Sequence, residues 1–233
     1  MKPFNFKQFS IQQNNTAMKV GTDGVLLGAW TTVKNGTILD IGTGTGLIAI
    51  MLAQRSKTAL IDAIEVEEDA HNQAKENISS CNWKNRISAH HLPIQNFKPT
   101  TQYDLIISNP PFFLASTKAP NEERNTARHT DSLSFDDLIA SVIRLLNSEG
   151  IFSLILPINE AELFINIATT QHLFLNKKCV IKPNPTKPAK RVLMEFSFSK
   201  TDIVSEELTI ETATRHQYTK EYISLTQDFY LKF

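Results

Sequence analysis

The sequence predicts an α/β protein built on a doubly wound, mostly parallel sheet, and three observations carry that prediction. Over residues 37–171, short runs rich in Ile, Leu and Val alternate with stretches of helical apolar spacing. Strands joined by helical crossovers produce that alternation and leave the sheet covered on both faces. The first of these strands runs into a glycine turn, Gly42-Thr43-Gly44-Thr45-Gly46, and a later one stops at Asn109-Pro110-Pro111-Phe112.

Residues 2–36 form an N-terminal extension, with a hairpin strand at 8–13 and a short helix at 23–30. Residues 37–41 are the first core strand, and 47–55 a helix with apolar residues at helical spacing. A strand at 59–65 is followed by an acidic helix from 67 to about 80, and 86–90 and 103–108 are further strands. Ser134-Phe135-Asp136-Asp137 opens a helix that runs to residue 147 and is ended by Gly150. Residues 151–156 are a fifth buried strand and 159–171 another helix. After that the character changes. Residues 177–182 and 191–199 read as an antiparallel C-terminal hairpin around the stiff turn Pro183-Asn184-Pro185-Thr186-Lys187-Pro188-Ala189. A helix at 220–227 and the aromatic run 229–233 fold back onto the domain. The expected division is one domain over 1–233: extension 1–36, core 37–200 and closing segment 201–233.

Composition bounds the classes open to it. At 233 residues, 41% hydrophobic and 21% charged, the chain has the make-up of a globular α/β domain with a sizeable core. No window approaches the ~18 consecutive apolar residues of a membrane span, and Met1-Lys2-Pro3-Phe4 lacks the apolar region of a secretory signal. Cys81 and Cys179 lie far apart and form no CxxC, so a reduced, cytoplasmic setting is expected. His90 and His91 are adjacent on a strand and point to opposite faces, a poor chelating pair. His129 has no recognisable partner and reads as structural, and no metal is expected. A formal net charge of zero counts mildly against nucleic acid, although distribution matters more.

The turn Asp40 to Gly46 sits between a strand and a helix, where glycines let backbone approach a ligand and the helix start offers free N–H groups. Glu65, at the end of the next strand, is placed to accept both hydroxyls of a ribose; Glu67 is the rival, better suited to the first turn of the following helix. The turn holds no lysine, which excludes a phosphate-cradling P-loop. At the second site, two prolines fix their own φ and donate no backbone bond, so the chain leaves the sheet rigidly. Asn109 then offers an amide oxygen, Pro110 a free carbonyl and Phe112 a ring, the groups that accept two N–H bonds from a planar amino group and stack on its ring.

Asp40 through Gly46, Glu65 and Asn109-Pro110-Pro111-Phe112 together resemble the class I S-adenosylmethionine-dependent methyltransferases of the amino-methylating branch. The resemblance implies a Rossmann-like, seven-stranded sheet whose last strand is antiparallel. It also implies S-adenosylmethionine as cofactor, with Asp40, Gly42, Gly44 and Gly46 at its methionine part and Glu65 at its ribose. Relatives often carry an acidic residue after the third strand for the adenine amino group. Here that stretch is His90-His91-Leu92-Pro93-Ile94, so apolar packing from Leu92 is expected instead.

Met18-Lys19-Val20-Gly21-Thr22-Asp23-Gly24-Val25-Leu26-Leu27-Gly28, Ala127-Arg128-His129, Tyr218-Thr219-Lys220-Glu221-Tyr222 and Phe229-Tyr230-Leu231 narrow the likeness. They are similar to the tRNA (adenine-N6) methyltransferases acting on adenosine 37 of a valine tRNA. That implies Thr22 and Asp23 near the methionine end of the cofactor, and a tRNA substrate. Independently, Lys177, Lys178, Lys182, Lys187, Lys190 and Arg191 fall in a stretch without Asp or Glu, a basic run suited to a phosphate backbone. Arg124 and Arg128, past the catalytic turn, would add contacts. No membrane and no obligate protein partner is expected. Glutamine-N5 protein methylation is the alternative, although its usual tyrosine and N-terminal helical domain are missing. DNA adenine methylation is weaker, and a non-catalytic RNA-binding module of the same fold is a third reading.

Overall fold

The computed structural model describes residues 2–14, 16, 18–110 and 133–233. A small antiparallel hairpin, β1 (Phe4–Asn5) and β2 (Ser10–Ile11), precedes α1 (Thr22–Trp30). The alternating region comes next: β3 (Thr37–Ile41), α2 (Leu47–Arg55), β4 (Leu60–Glu65), α3 (Glu68–Ser80), β5 (Ile87–His91) and β6 (Tyr103–Ser108). It resumes with α4 (Phe135–Leu145), β7 (Leu146–Pro157), α5 (Ile158–Thr170), β8 (Phe174–Lys182) and β9 (Arg191–Ser197). The chain closes with β10 (Val204–Thr209) and α6 (Lys220–Thr226).

The main sheet has eight strands in the order β10-β8-β9-β7-β6-β3-β4-β5. Strand β9 runs antiparallel to both of its neighbours, and the other pairs are parallel. The expected mostly parallel sheet with an antiparallel hairpin is therefore present, with one strand beyond the expected seven. The addition is β10, from the stretch expected only to close the fold. Its sequence, Val204-Ser205-Glu206-Glu207-Leu208-Thr209, shows no regular apolar alternation because it is an edge strand, with its first four residues exposed.

Strand order reverses between β3 and β6, the switch point where loops leave neighbouring strands in opposite directions and open a crevice. Helices α1, α2 and α3 cover one face through residues such as Leu27, Ile50 and Ala74. Helices α4 and α5 cover the other through Leu138, Val142 and Phe164. The two ends of the chain meet. Lys7 N donates to Phe229 O at 2.8 Å, and Phe6 pairs with Tyr230 in an antiparallel bridge. Among the described residues, no helix is long and apolar enough to cross a membrane.

Helix α4 stops at Leu145 and passes directly into β7, so Gly150 does not end a helix. It lies where the β6–β7 register shifts between Tyr103 and Leu105. A Cβ on Gly150 would come within 2.5 Å of Leu146 Cδ1 and 2.9 Å of the Tyr103 carbonyl oxygen. Gly150→Ala is therefore expected to cost about 1–3 kcal/mol in urea unfolding, the range for overpacking. Gly21→Ala, whose nearest neighbour would be 3.8 Å away, should change little. Equal midpoints for the two variants would contradict the packing assigned to Gly150.

Candidate active site

The end of β3 and the end of β6 lie side by side. Ile41 pairs with Ser108 in parallel register, and the Ser108 hydroxyl donates to the Ile41 carbonyl at 2.9 Å. One residue beyond each, the chain enters the glycine turn on one strand and Asn109 on the other. Neighbouring strands are ~4.8 Å apart, so the two turns face the same crevice.

The glycine turn is a left-handed one. Gly42, Gly44 and Gly46 have φ of 71°, 59° and 81°, values that side-chain-bearing residues rarely adopt. A Cβ on Gly42 or Gly44 would meet nothing within 4 Å, so open space lies over the backbone there. Gly42 N and Thr43 N both donate to Ile64 O at 2.9 Å, tying the turn to the end of β4. Glu65 tightens that link, accepting from Gly44 N at 2.9 Å through Oε2 and from Val66 N and Glu67 N at 2.8 and 3.0 Å through Oε1. The rival Glu67 precedes α3, is exposed, and makes no side-chain capping bond. Leu92 N donates to Glu65 O at 3.1 Å, which puts half-buried Leu92 on the turn beside Glu65. Val66 stands next to it, 53% exposed despite its apolar side chain. Sequence reasoning passed over Val66; its one signal is its place directly after the acidic strand end.

Asp40 is completely buried; its Oδ2 accepts from the Thr43 hydroxyl at 2.6 Å, while among the described residues Oδ1 has no well-formed hydrogen bond. The Ala49 backbone N–H approaches the carboxyl from the first turn of α2. Burial, opposed by the Thr43 hydroxyl and the Ala49 N–H and aided by the nearby Glu65 charge, pushes the Asp40 carboxyl up to about 7. Asn109 Oδ1 is likewise buried without a partner among the described residues, and Pro110 is buried beside it. Phe112, Arg124, Arg128 and His129 lie outside the described residues. A third unpartnered group is Glu160 in the first turn of α5, directly after β7. Burial raises its pKa while Arg191 pulls it back. An orphaned buried acceptor costs ~1–3 kcal/mol; of the four described residues that carry one, Gln54 lies near the end of α2, and Asp40, Asn109 and Glu160 stand at the same edge of the sheet. This set of acceptors fits a ligand rich in N–H groups and positive charge, lying on the open glycine backbone. Nothing in the sequence singled out Glu160.

The N-terminal extension reaches this edge too. The point where a Cβ on Gly24 would sit is 3.9 Å from Asn109 Nδ2, so the start of α1 approaches the amide. Thr22 is exposed, and Asp23 Oδ2 accepts from Arg191 Nε at 2.7 Å. Asn77 of α3, only 1% exposed, holds the segment ahead of α1. Its Nδ2 donates to Gln12 O and Thr45 O at 2.9 and 2.8 Å, and its Oδ1 accepts from Gln12 N at 2.8 Å. One side chain thus ties the extension to the glycine turn.

The basic run differs from its reading as an unopposed stretch. Strand β10 sets Glu206 3.6 Å from Lys177 and Glu207 2.9 Å from Lys182. Arg191 is half-buried on Asp23, while Lys187 and Lys190 are exposed. His90 and His91 do face apart, His90 to Asp62 at 2.6 Å and His91 to the Val66 carbonyl at 2.9 Å. Among the described residues, no three His, Cys, Asp or Glu side chains gather to hold a metal.

Comparison with known proteins adds three findings. The family model "Methyltransferase small domain" matches residues 15–156. The tRNA1(Val) (adenine(37)-N6)-methyltransferase of Flavobacterium psychrophilum is 48% identical over 233 residues, covering 98% of this chain and 99% of that protein. The protein of the same name from Pseudoalteromonas translucida is 46% identical, with full coverage of both chains. Among solved structures, a predicted O-methyltransferase of Agrobacterium tumefaciens superposes with a TM-score of 0.72 over 89% of this chain and 96% of that one. At 18% identity that likeness concerns the fold alone.

The Asp40 environment has a consequence for stability. A folded-state pKa of about 7, against 3.8 in the unfolded chain, means the folded protein binds that proton more tightly. The associated stability is fully present below the ordinary carboxylate range and is lost as pH rises through about 7. Asp40→Asn keeps an acceptor for Thr43 and removes the titration. Its unfolding free energy relative to wild type should rise between pH 5 and 8, by on the order of 1 kcal/mol per pH unit at most. Urea titrations across that range check this, and parallel pH profiles would contradict it.

Proposed function

The chain belongs to the methyltransferase small-domain family, and we propose that it methylates N6 of an adenosine in tRNA, adenosine 37 beside the anticodon of a valine tRNA, using S-adenosylmethionine. The observation that carries this reading is near-full-length identity of 46–48% to proteins named for that reaction. The Asn109-Pro110 exit beside the glycine turn supplies chemistry that suits it.

When bound, S-adenosylmethionine supplies an electrophilic methyl group on a sulfonium. Asp40, Gly42, Gly44 and Gly46 would hold its methionine part from one side, with Thr22 and Asp23 closing from α1. Glu65 would take the ribose hydroxyls; its oxygens, fixed by three backbone N–H groups, keep lone pairs for them. Leu92 and Val66 offer apolar surface to the adenine. On the acceptor side, the lone pair of an adenine amino group is delocalised into the ring and attacks poorly. Asn109 Oδ1 and the Pro110 carbonyl would each accept one N6–H bond, aiming that lone pair and stabilising positive charge as it develops. No base is required before attack, because the proton can leave afterwards. Phe112 would stack on the base, turned out of its loop.

Arg124, Arg128, Lys187, Lys190 and Arg191 complete the proposed RNA contacts, Arg191 chiefly by fixing Asp23. The reading treats residues 1–233 as one catalytic unit working in the cytoplasm, with no obligate protein partner. The test is Asn109→Ala, expected to lower kcat for tRNA on the order of 10³-fold. Calorimetric affinity for S-adenosylmethionine should stay within about threefold of wild type, because the amide serves the acceptor. Turnover near the wild-type rate would remove Asn109 from the mechanism.

A further inference from the structure

The loops at the C-terminal edge of the sheet continue well past the catalytic crevice. Strand β8 ends at Lys182, its parallel neighbour β10 at Thr209, and β9 begins at Arg191 opposite Pro157 of β7. The turn at 183–190 and the loop at 210–219 therefore emerge on the same edge as Asn109. They are bonded to each other: Ile210 N donates to Lys182 O and Glu211 N to Pro183 O, both at 2.9 Å. Between them lies a cleft of about 420 Å³, lined by Asn184, Lys187, Glu211, Thr212, Ala213 and Arg215.

Both walls are stiff. Asn184 Oδ1 accepts from Thr186 N, Thr186 Oγ1 and Lys187 N at 3.0–3.2 Å, a side-chain-closed turn set among Pro183, Pro185 and Pro188. In the opposite wall, Thr214 N donates to Thr212 Oγ1 at 3.2 Å, and His216 sits at φ 63°. Each wall contributes an exposed cation, Lys187 and Arg215. The one acidic lining residue, Glu211, is partly engaged: its Oε1 accepts from His216 N at 3.2 Å and lies 3.9 Å from His216 Nδ1. Lys190, exposed, directly precedes Arg191, whose guanidinium pairs with Asp23.

We propose that this cleft binds the phosphate backbone of the tRNA at a distance from the modified base; the proposal rests on the tRNA reading above. Rigid loops presenting two cations from opposite sides lose little freedom when a phosphate enters. The distance is set by the sheet. Four strand spacings separate β6 from β10, roughly 19 Å at ~4.8 Å each. At a rise of roughly 3 Å per stacked nucleotide, that is about six nucleotides. The phosphates held would then belong to the stem that carries the anticodon loop, not to the loop itself.

The test uses the full-length protein, a full anticodon stem–loop transcript and a version with its stem shortened to two base pairs. Lys187→Glu/Arg215→Glu should bind the full stem–loop about tenfold more weakly than wild type at moderate salt. Its log Kd against log salt should be shallower by about 1.8, two contacts at the ~0.9 each of a duplex. The penalty should disappear on the shortened transcript, and calorimetric affinity for S-adenosylmethionine should be unchanged. Lys187→Gln/Arg215→Gln should show the same pattern with a smaller loss of affinity, which guards against misfolding of the charge-reversed protein. Unchanged affinity and slope in both variants, or an equal penalty on the two transcripts, overturns the cleft as a stem site. Failure of the wild-type protein to bind or methylate any tRNA would instead overturn the functional reading.

Discussion

The Ser108 hydroxyl bond to the Ile41 carbonyl, with the parallel register pairing those residues, sets the spacing on which the rest of the site depends. Both residues lie at the last rung of the ladder before the backbone leaves the sheet. The two strands then continue into segments that are stiff for different reasons. On β3 the turn is locked by left-handed glycines and by bonds to the end of β4; on β6 the next residues are Asn109 and a proline. Neither turn could drift without breaking the ladder between β3 and β6, which is buried on both faces. A slip of one register position would turn Asn109 to the opposite side of the sheet.

Three of the four described residues with buried, unpartnered acceptors collect at the same edge, which sets the site apart from most of the core. Elsewhere among the described residues buried polar groups find partners, apart from Gln54 Oε1 near the end of α2: Thr31 bonds Ser153, Glu195 takes two bonds from Thr32, and Asn77 uses both ends of its amide. Asp40, Asn109 and Glu160 do not follow that rule. The extension participates rather than decorating the core. Gly24 and Gly28, one helical turn apart, let α1 settle against Leu47 and Met51 of α2, and Asn77 and Arg191 pin its approach from opposite ends.

Much of this was legible because the informative residues act locally. Glycines that need positive φ, and prolines that end a strand, declare themselves without knowledge of their neighbours, and Glu65 is marked by its place at a strand end. The features that sequence reading lost depend on partners far along the chain. Arg191 reads as one more basic residue of a hairpin, yet it is bound to Asp23, 168 positions away. Lys177 and Lys182 looked unopposed because the carboxylates that answer them sit on β10, a strand whose exposed, polar sequence carries no period to recognise. Gly150 resembled a helix stop, since a close approach to a neighbouring strand's carbonyl leaves no mark in a single sequence.

The central claim is that the Asn109 amide oxygen, at the mouth of the crevice beside the glycine turn, receives the amino group that becomes methylated. The most direct measurement is a crystal structure of the protein with the demethylated cofactor and a stem–loop RNA carrying the target adenosine. The account predicts N6 within about 2.7–3.2 Å of Asn109 Oδ1, with the thioether sulfur over the glycine turn. A base held elsewhere, or an Asn109 oxygen bonded within the protein while the adenine amino group meets other acceptors, would contradict it.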